Sequence, residues 1–408
     1  MNRIKKKQSI NLFTILIGIG LFFPACNKRG CTDPAAENYN LDAKIDDGSC
    51  LIENPGNPCH YTINGVCYKG LHSNITEDTY LDAETNWLLS GGTFVDPGVT
   101  LTIEAGTIIH AADDGTVPFL SISRGAKIVA DGTAENPIVF TPISSSPEPG
   151  DWGGIIINGS ANVNMESCVG EGGTGPFGGN DDDDNSGILK YVRVEYGGKL
   201  ISTDNQLNGF SFNAVGSGTT LEYLQAYKCA NDGFNILGGR AAVNFALSTG
   251  NRGDGFDINL GWIANGKEWI VEQEAGFGST GVEIENDPVY PQWTKADLTN
   301  ITIIGSGSSQ GQDGLKFREG SQGTISNIYI VGFKDGIDLK NDETGESVSS
   351  GDLIISNATI GMDVLNAYQV SIDSSIDSTN AVNMLENAID SSGVGAASYW
   401  TLGWTKGI

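Results

Sequence analysis

Residues 231–239 read NDGFNILGG and residues 253–261 read GDGFDINLG, one glycine-rich shape written twice at an offset of 22. The surrounding stretches align as well: LEYLQAYKCANDGFNI (221–236) falls on VNFALSTGNRGDGFDI (243–258), pairing Leu221 with Val243, Tyr223 with Phe245 and Ile236 with Ile258. The Asp-Gly pair returns at Asp313-Gly314 and Asp335-Gly336, again 22 apart. Upstream, LTIEAGTIIHA (101–111) repeats as LSISRGAKIVA (120–130) at an offset of 19, and LTNITIIG (298–305) repeats as ISNIYIVG (325–332) at 27. Within each copy apolar residues alternate, the mark of a strand with one face inward. An offset that varies while the strand pattern holds means that turns absorb the insertions, as in a solenoid.

Short strands, no helix within the repeat and no L-x-x-L-x-L-x-x-N pattern predict an all-β fold, a right-handed parallel β-helix. Each Asp-Gly pair is expected at a corner, with Gly supplying a positive φ and the Asp side chain bonding nearby amides. An inward residue follows each time: Phe234, Phe256, Leu315 or Ile337. The open end of such a solenoid needs a cover. Ala381, Met384, Leu385, Ala388 and Ile389, following Ser378 and Thr379, have the spacing of a short capping helix. The closing SYWTLGWTKGI (398–408) is expected to return as a final strand.

The N-terminus reads separately. Arg3, Lys5, Lys6 and Lys7 precede the apolar INLFTILIGIGLFF, which runs into Pro24-Ala25-Cys26. That is the pattern of a secretory signal, and the small residue before Cys resembles a bacterial lipoprotein signal with Cys26 as the lipidated residue. The predicted organisation is a signal peptide at 1–25, a Cys-rich linker at 26–70, the β-helix at 71–375 with an insertion at about 261–298, and a helix-plus-strand cap at 376–408. Six further cysteines suit an oxidising compartment: Cys31, Cys50, Cys59, Cys67, Cys168 and Cys229. Of the 15 pairings that six cysteines allow, spacing suggests Cys31 with Cys50, Cys59 with Cys67 and Cys168 with Cys229.

With 50 acidic residues against 23 Lys and Arg, the formal charge is −27. This balance repels nucleic acid and anionic headgroups and leaves cations and neutral or basic partners.

Several motifs occur together: WLLSGGTFVDPGVTLTIEAGTII (87–109), RGAKIVADGTAENPIVFT (124–141), GDWGGIIING (150–159), LKYVRVEYGG (189–198) and WTLGWT (400–405). In combination they resemble the β-helix surface lipoproteins of Bacteroidetes over residues 87–405. CTDPAAENYNLDAKIDDGSC (31–50) is similar to small Cys-bracketed linker modules in secreted proteins of the same group. The resemblance implies a lipid anchor, outer-membrane residence and a parallel β-helix, and brings no catalytic residues. Where some relatives carry an acidic run after the lipid Cys, Asn27-Lys28-Arg29-Gly30 is basic, so the cell-surface and periplasmic faces both stay open.

Three functional readings follow, and the sequence favours the first: a binding or adhesion protein for a glycan or protein partner at the cell surface. The insertion holds Trp262, Trp269, Tyr290 and Trp293 beside acids and amides, a composition suited to sugar faces. The second is a polysaccharide lyase or hydrolase, for which Arg252, Asp254 and Asp257 with Lys316, Arg318 and Glu319 would have to converge. The third is a structural spacer. No cofactor is required. Ca²⁺ is the one ion with candidate oxygens, on Asp42, Asp46 and Asp47 in the linker and Asp181, Asp182, Asp183 and Asp184 in GGNDDDDNSG (178–187). Neither group has EF-hand spacing.

Overall fold

A computed structural model describes residues 31–32, 36, 41, 43–44, 59–165, 168–203, 205–286, 292–307, 312–372 and 378–407. The signal segment, Cys26 and Cys50 lie outside them. The chain alternates between a 15-stranded and a 10-stranded sheet, and neighbours in each sheet are strands from successive coils rather than consecutive strands. Apart from a starting hairpin (Tyr61–Ile63 with Val66–Leu71), the pairings in both sheets are parallel, as between Phe234–Leu237 and Phe256–Asn259. This is a parallel β-helix. The aligned repeats are stacked coils: Leu221 pairs with Val243, and Phe234 with Phe256.

Stacking places like side chains on one another. Phe210, Phe234, Phe256 and Trp269 form a continuous inward pile with centroid spacings of 5.2, 4.6 and 4.1 Å. One core cluster runs the length of the helix, from Leu71 to Ala388. The long strands of the first sheet bend at mid-length, where Tyr191, Tyr223, Phe245, Glu268, Asn300, Asn327 and Asn357 all take φ between 49° and 60°. A non-Gly residue in this region is costly unless its neighbours hold it. Here Asn327 donates to Asn300 Oδ1 (2.6 Å), and Asn300 donates to Glu268. The same bend is thereby locked from coil to coil.

The structure revises the corner. Gly233, Gly255, Gly314 and Gly336 are not in the positive-φ region; they are glycines because a Cβ would have no room. At Gly255 it would stand 2.4 Å from the Gly281 carbonyl oxygen, and at Gly233 2.9 Å from that of Gly255. The Asp side chains reach across coils instead of bonding locally. Asp232 Oδ1 accepts the Asp254 amide (2.7 Å), and Asp254 Oδ1 accepts the Thr280 amide (2.6 Å).

Four further expectations change. The insertion at 261–298 contains a regular coil, Ile263–Glu272 followed by Val282–Ile284, in register with its neighbours. A polar helix not foreseen from the sequence, α1 (Asp342–Ser350), joins the predicted one, α2 (Thr379–Ala388), whose Ala381, Leu385 and Ala388 are buried as expected. The last residues form no closing strand. After α2 the chain turns back as a strap over the first sheet, bonding Asn327, Thr302 and Glu268 in turn. Trp400 then packs on Phe245 and Tyr223, Trp404 on Tyr191, and Lys406 reaches Glu195 (2.6 Å). Finally, Cys59–Cys67 is a disulfide and Cys31 is disulfide-bonded, but Cys168 and Cys229 are free buried thiols. Cys229 sits in the main core, whereas Cys168 packs with Phe177 and Ala214 in a separate cluster.

The tight corner makes a specific demand on size. Gly255→Ala is expected to lower stability by about 1–3 kcal/mol through overpacking, and Gly255→Val by more. Urea unfolding of both variants checks this, and an Ala variant as stable as the parent would contradict the crowding account.

Candidate functional site

On the second sheet, residues alternate between core and surface, so the outward residues of successive coils form columns. Phe234 and Ile236 point inward and Asn235 outward. The register then aligns Asn235, Asp257, Glu283, Lys316, Asp338 and Gln369 on consecutive strands. A second column beside it holds Asn259, Glu285, Arg318 and Lys340, and Asn259 donates to Glu285 (2.5 Å). The corner carboxylates Asp232 and Asp254 flank the first column on one side. Asp254, Asp257, Lys316 and Arg318 therefore belong to one ladder.

The cations in this ladder are already engaged. Lys316 and Arg318 both lie 3.0 Å from Glu283, and Arg318 also reaches Glu285 and Glu319 at 3.2 Å. Lys340 pairs with Asp338 (3.0 Å) and Lys334 with Asp335 (2.9 Å). Asp257 receives a bond from Asn235 (3.1 Å) at Oδ2, whereas the buried Asp257 Oδ1 and Asp338 Oδ1 have no partner among the described residues.

Burial sets the protonation of these acids. It raises Asp232 from 3.8 to about 7, helped by the charges of Glu171 and Glu283 and opposed by the Asp254 amide. Burial, followed by neighbouring carboxylates, pushes Asp254 and Asp257 well above the usual range. Burial also opposes ionisation of Glu283, but Lys316 and Arg318 outweigh it and hold Glu283 below its ordinary value. Two acids in adjacent rungs thus have opposite tendencies.

The edges of the ladder are defined. A segment following strand Ile155–Asn158 covers the earlier coils, where Ser121 and Asn158 both donate to the Thr174 carbonyl (2.6 and 2.9 Å). That segment delivers Glu171 towards Asp232. At the corner, the loop that presents the Thr280 amide to Asp254 also carries Phe277, 42% exposed and 4.6 Å from the Arg252 guanidinium. At the far side, half-buried Trp293 lies against Gly320, two residues beyond Arg318.

The other aromatic candidates are elsewhere. Trp262 and Trp269 are buried in the core, their indole N–H groups bonded to Ala241 (3.1 Å) and Val243 (2.9 Å) carbonyls, so neither is a surface platform. Tyr290 lies outside the described residues, as do Asp42, Asp46 and Asp47. The run Asp181–Asp184 does not converge on a point. Asp182 binds Asn162 and Arg240, Asp183 accepts from Ser217, and Asp184 from Ser186. Among the described residues no group of three or more His, Cys, Asp or Glu is arranged to hold a metal ion. Sequence reasoning missed Glu171, Glu283, Glu285 and Asp338. For Glu283 the available signal was its place two residues after Gly281, the phase at which Asp257 follows Gly255.

A family model described as a pectate-lyase-like β-helix domain matches residues 73–405. The chain belongs to that family. No curated protein and no solved structure matches it. In this pectate-lyase-like β-helix, the columned face of the second sheet is the candidate site.

The raised acids give a signed pH dependence. A carboxyl whose folded pKa is raised stabilises the fold while protonated, and that contribution is lost as pH rises through the folded value. For Asp232 the window runs from about 4 to about 7. Thermal melting is therefore expected to be higher at pH 5 than at pH 8, with the difference reduced in Asp232→Asn, which mimics the protonated acid. Equal pH dependence in parent and variant would contradict this assignment.

Proposed function

We propose that this β-helix is a non-enzymatic glycan-binding protein, tethered to the outer membrane through Cys26, with its ligand lying across the ladder on the second sheet. The carrying observation is a polar, partly buried ladder flanked by two aromatic side chains. Asp257, Glu283 and Lys316 offer hydrogen-bonding groups at the strand spacing of about 4.8 Å, and Phe277 and Trp293 flank them. The rings of Phe277 and Trp293 accept the apolar sugar faces. The tether is supported by the basic, apolar and Ala25-Cys26 pattern of the leader. Adhesion to a surface glycan fits that placement.

A second reading has its own observation. Asp257, raised, and Glu283, lowered, stand on adjacent strands, and carboxylates driven apart in this way suit acid–base catalysis on a polysaccharide.

Affinity electrophoresis of the soluble body, residues 27–408 without the leader, against neutral and acidic polysaccharides, with and without Ca²⁺, separates the two when unsaturated product and reducing ends are monitored in parallel. Binding without product is expected. Lys316→Ala should weaken it by about 1.5–3 kcal/mol, roughly 10- to 100-fold, the worth of a hydrogen bond to a charged group, and Asp257→Ala, whose acid is held towards its neutral form, by about 0.5–1.5 kcal/mol, roughly 2- to 10-fold. Product formation abolished in Asp257→Asn would establish the second reading, and absence of both binding and product across the panel would overturn the glycan assignment.

A further inference from the structure

Around the corner from the ladder, on the outside of the first sheet, lies a cavity of about 250 Å³ lined by Tyr227, Lys228, Thr249, Gly250, Glu272 and Glu274, with Gln273 and Gly407 completing it. Three successive coils build its wall, since Tyr227, Thr249 and Glu272 occupy the same register position. Gly250, at φ 64°, leaves one side without a side chain. The strap supplies the last wall: Lys406 is pinned by Gln225 and Glu195, and Gly407 lies so close to the Tyr227 ring that a Cβ there would be 2.6 Å from it. The cavity exists in this form because the strap is docked.

Its polar groups are unevenly satisfied. Lys228 is held by Glu274 (3.0 Å) and stands 5.8 Å from the Tyr227 ring, with Lys406 at 5.2 Å from the same ring. The Glu272 carboxylate has no hydrogen bond or ion pair with a described residue, and burial alone raises it above the ordinary value. Gln273 Oε1, buried beside the cavity, also has no donor among the described residues. A half-buried carboxylate without a partner is a standing cost to the fold. In a chain of net charge −27, the Glu272 carboxylate facing the cavity selects a donor that carries positive charge.

We infer that this cavity binds a small primary ammonium of single-sugar size, a protonated amino sugar, whose ammonium pairs with Glu272 and whose ring lies beside Tyr227. Size supports one ring: the volume falls below the roughly 300–1,000 Å³ of sites for larger ligands. A hydroxyl of such a sugar meets Thr249, while Lys228 stays with Glu274. The inference is independent of the ladder, which lies on the other sheet.

Calorimetric titration of the soluble body with glucosamine, N-acetylglucosamine and glucose tests it, because the three share a ring and differ in the ammonium. Glucosamine is expected to bind at least 10-fold more tightly than the other two, and Glu272→Gln to remove that preference. The substitution takes away an unpaired carboxylate and keeps its shape, so the variant should melt at or above the parent temperature, which separates loss of binding from loss of fold. Equal affinity for all three sugars, no binding of glucosamine, or unchanged glucosamine binding in Glu272→Gln would each overturn the inference. Retained ladder binding in that variant would show that the two surfaces act separately.

Discussion

Everything in this molecule depends on the register between successive coils. Parallel strands at about 4.8 Å place Phe234 on Phe256 and Asp257 beside Glu283, so each position in the repeat becomes a column along the helix. Columns of apolar residues make the core, and columns of asparagine fix the bends. The corner aspartates carry the same logic into the turns, each holding an amide of the next coil. Because a column repeats its chemistry, charge accumulates along it. Burial first, and then the charges of acids gathered along the columns, oppose ionisation at ordinary values, so Asp232 and Asp254 share one direction of shift.

The same constraint separates what the residues disclosed from what they hid. Period, strand phase and capping helix were legible because alternation and recurrence are properties of the chain itself. The role of the Asp-Gly glycine was misassigned: a positive φ and a crowded approach both demand glycine, and only the neighbouring coil distinguishes them. The aromatics near 261–298 looked like a surface feature because their coil has a longer offset, Phe256 pairing with Val282. Once in register, Trp269 continues the phenylalanine pile. The polar α1 has too weak an apolar face to announce itself, and the strap is held largely by partners more than 60 residues away, such as Asn327 for Gly395 and Gln225 for Lys406. The convergence of Asp254 and Asp257 with Lys316 and Arg318 was conditional on neighbouring coils, and in the fold the strand of Glu283 stands between that of Asp257 and that of Lys316.

The ladder and the strap cavity share one electrostatic character. In both, lysines and arginines are paired, while buried carboxylate or amide oxygens have no donor among the described residues. The family is described by its likeness to pectate lyases, yet a face with engaged cations offers little to a polyuronate and more to ligands rich in hydroxyl donors or carrying positive charge. Fold and ligand class are separate matters here: the coil stacking supplies a flat, repeating surface, and the identities within each column set what it accepts.

The central claim is that the columned face of the second sheet is the recognition surface. Hydrogen–deuterium exchange of the soluble body, with and without the tightest-binding polysaccharide, tests it most directly. Protection concentrated in 254–259, 282–285 and 313–318, with residues 390–407 of the strap unchanged, is the predicted result. Protection confined to the first sheet and the strap, with the second sheet exchanging as in the free protein, would contradict the account.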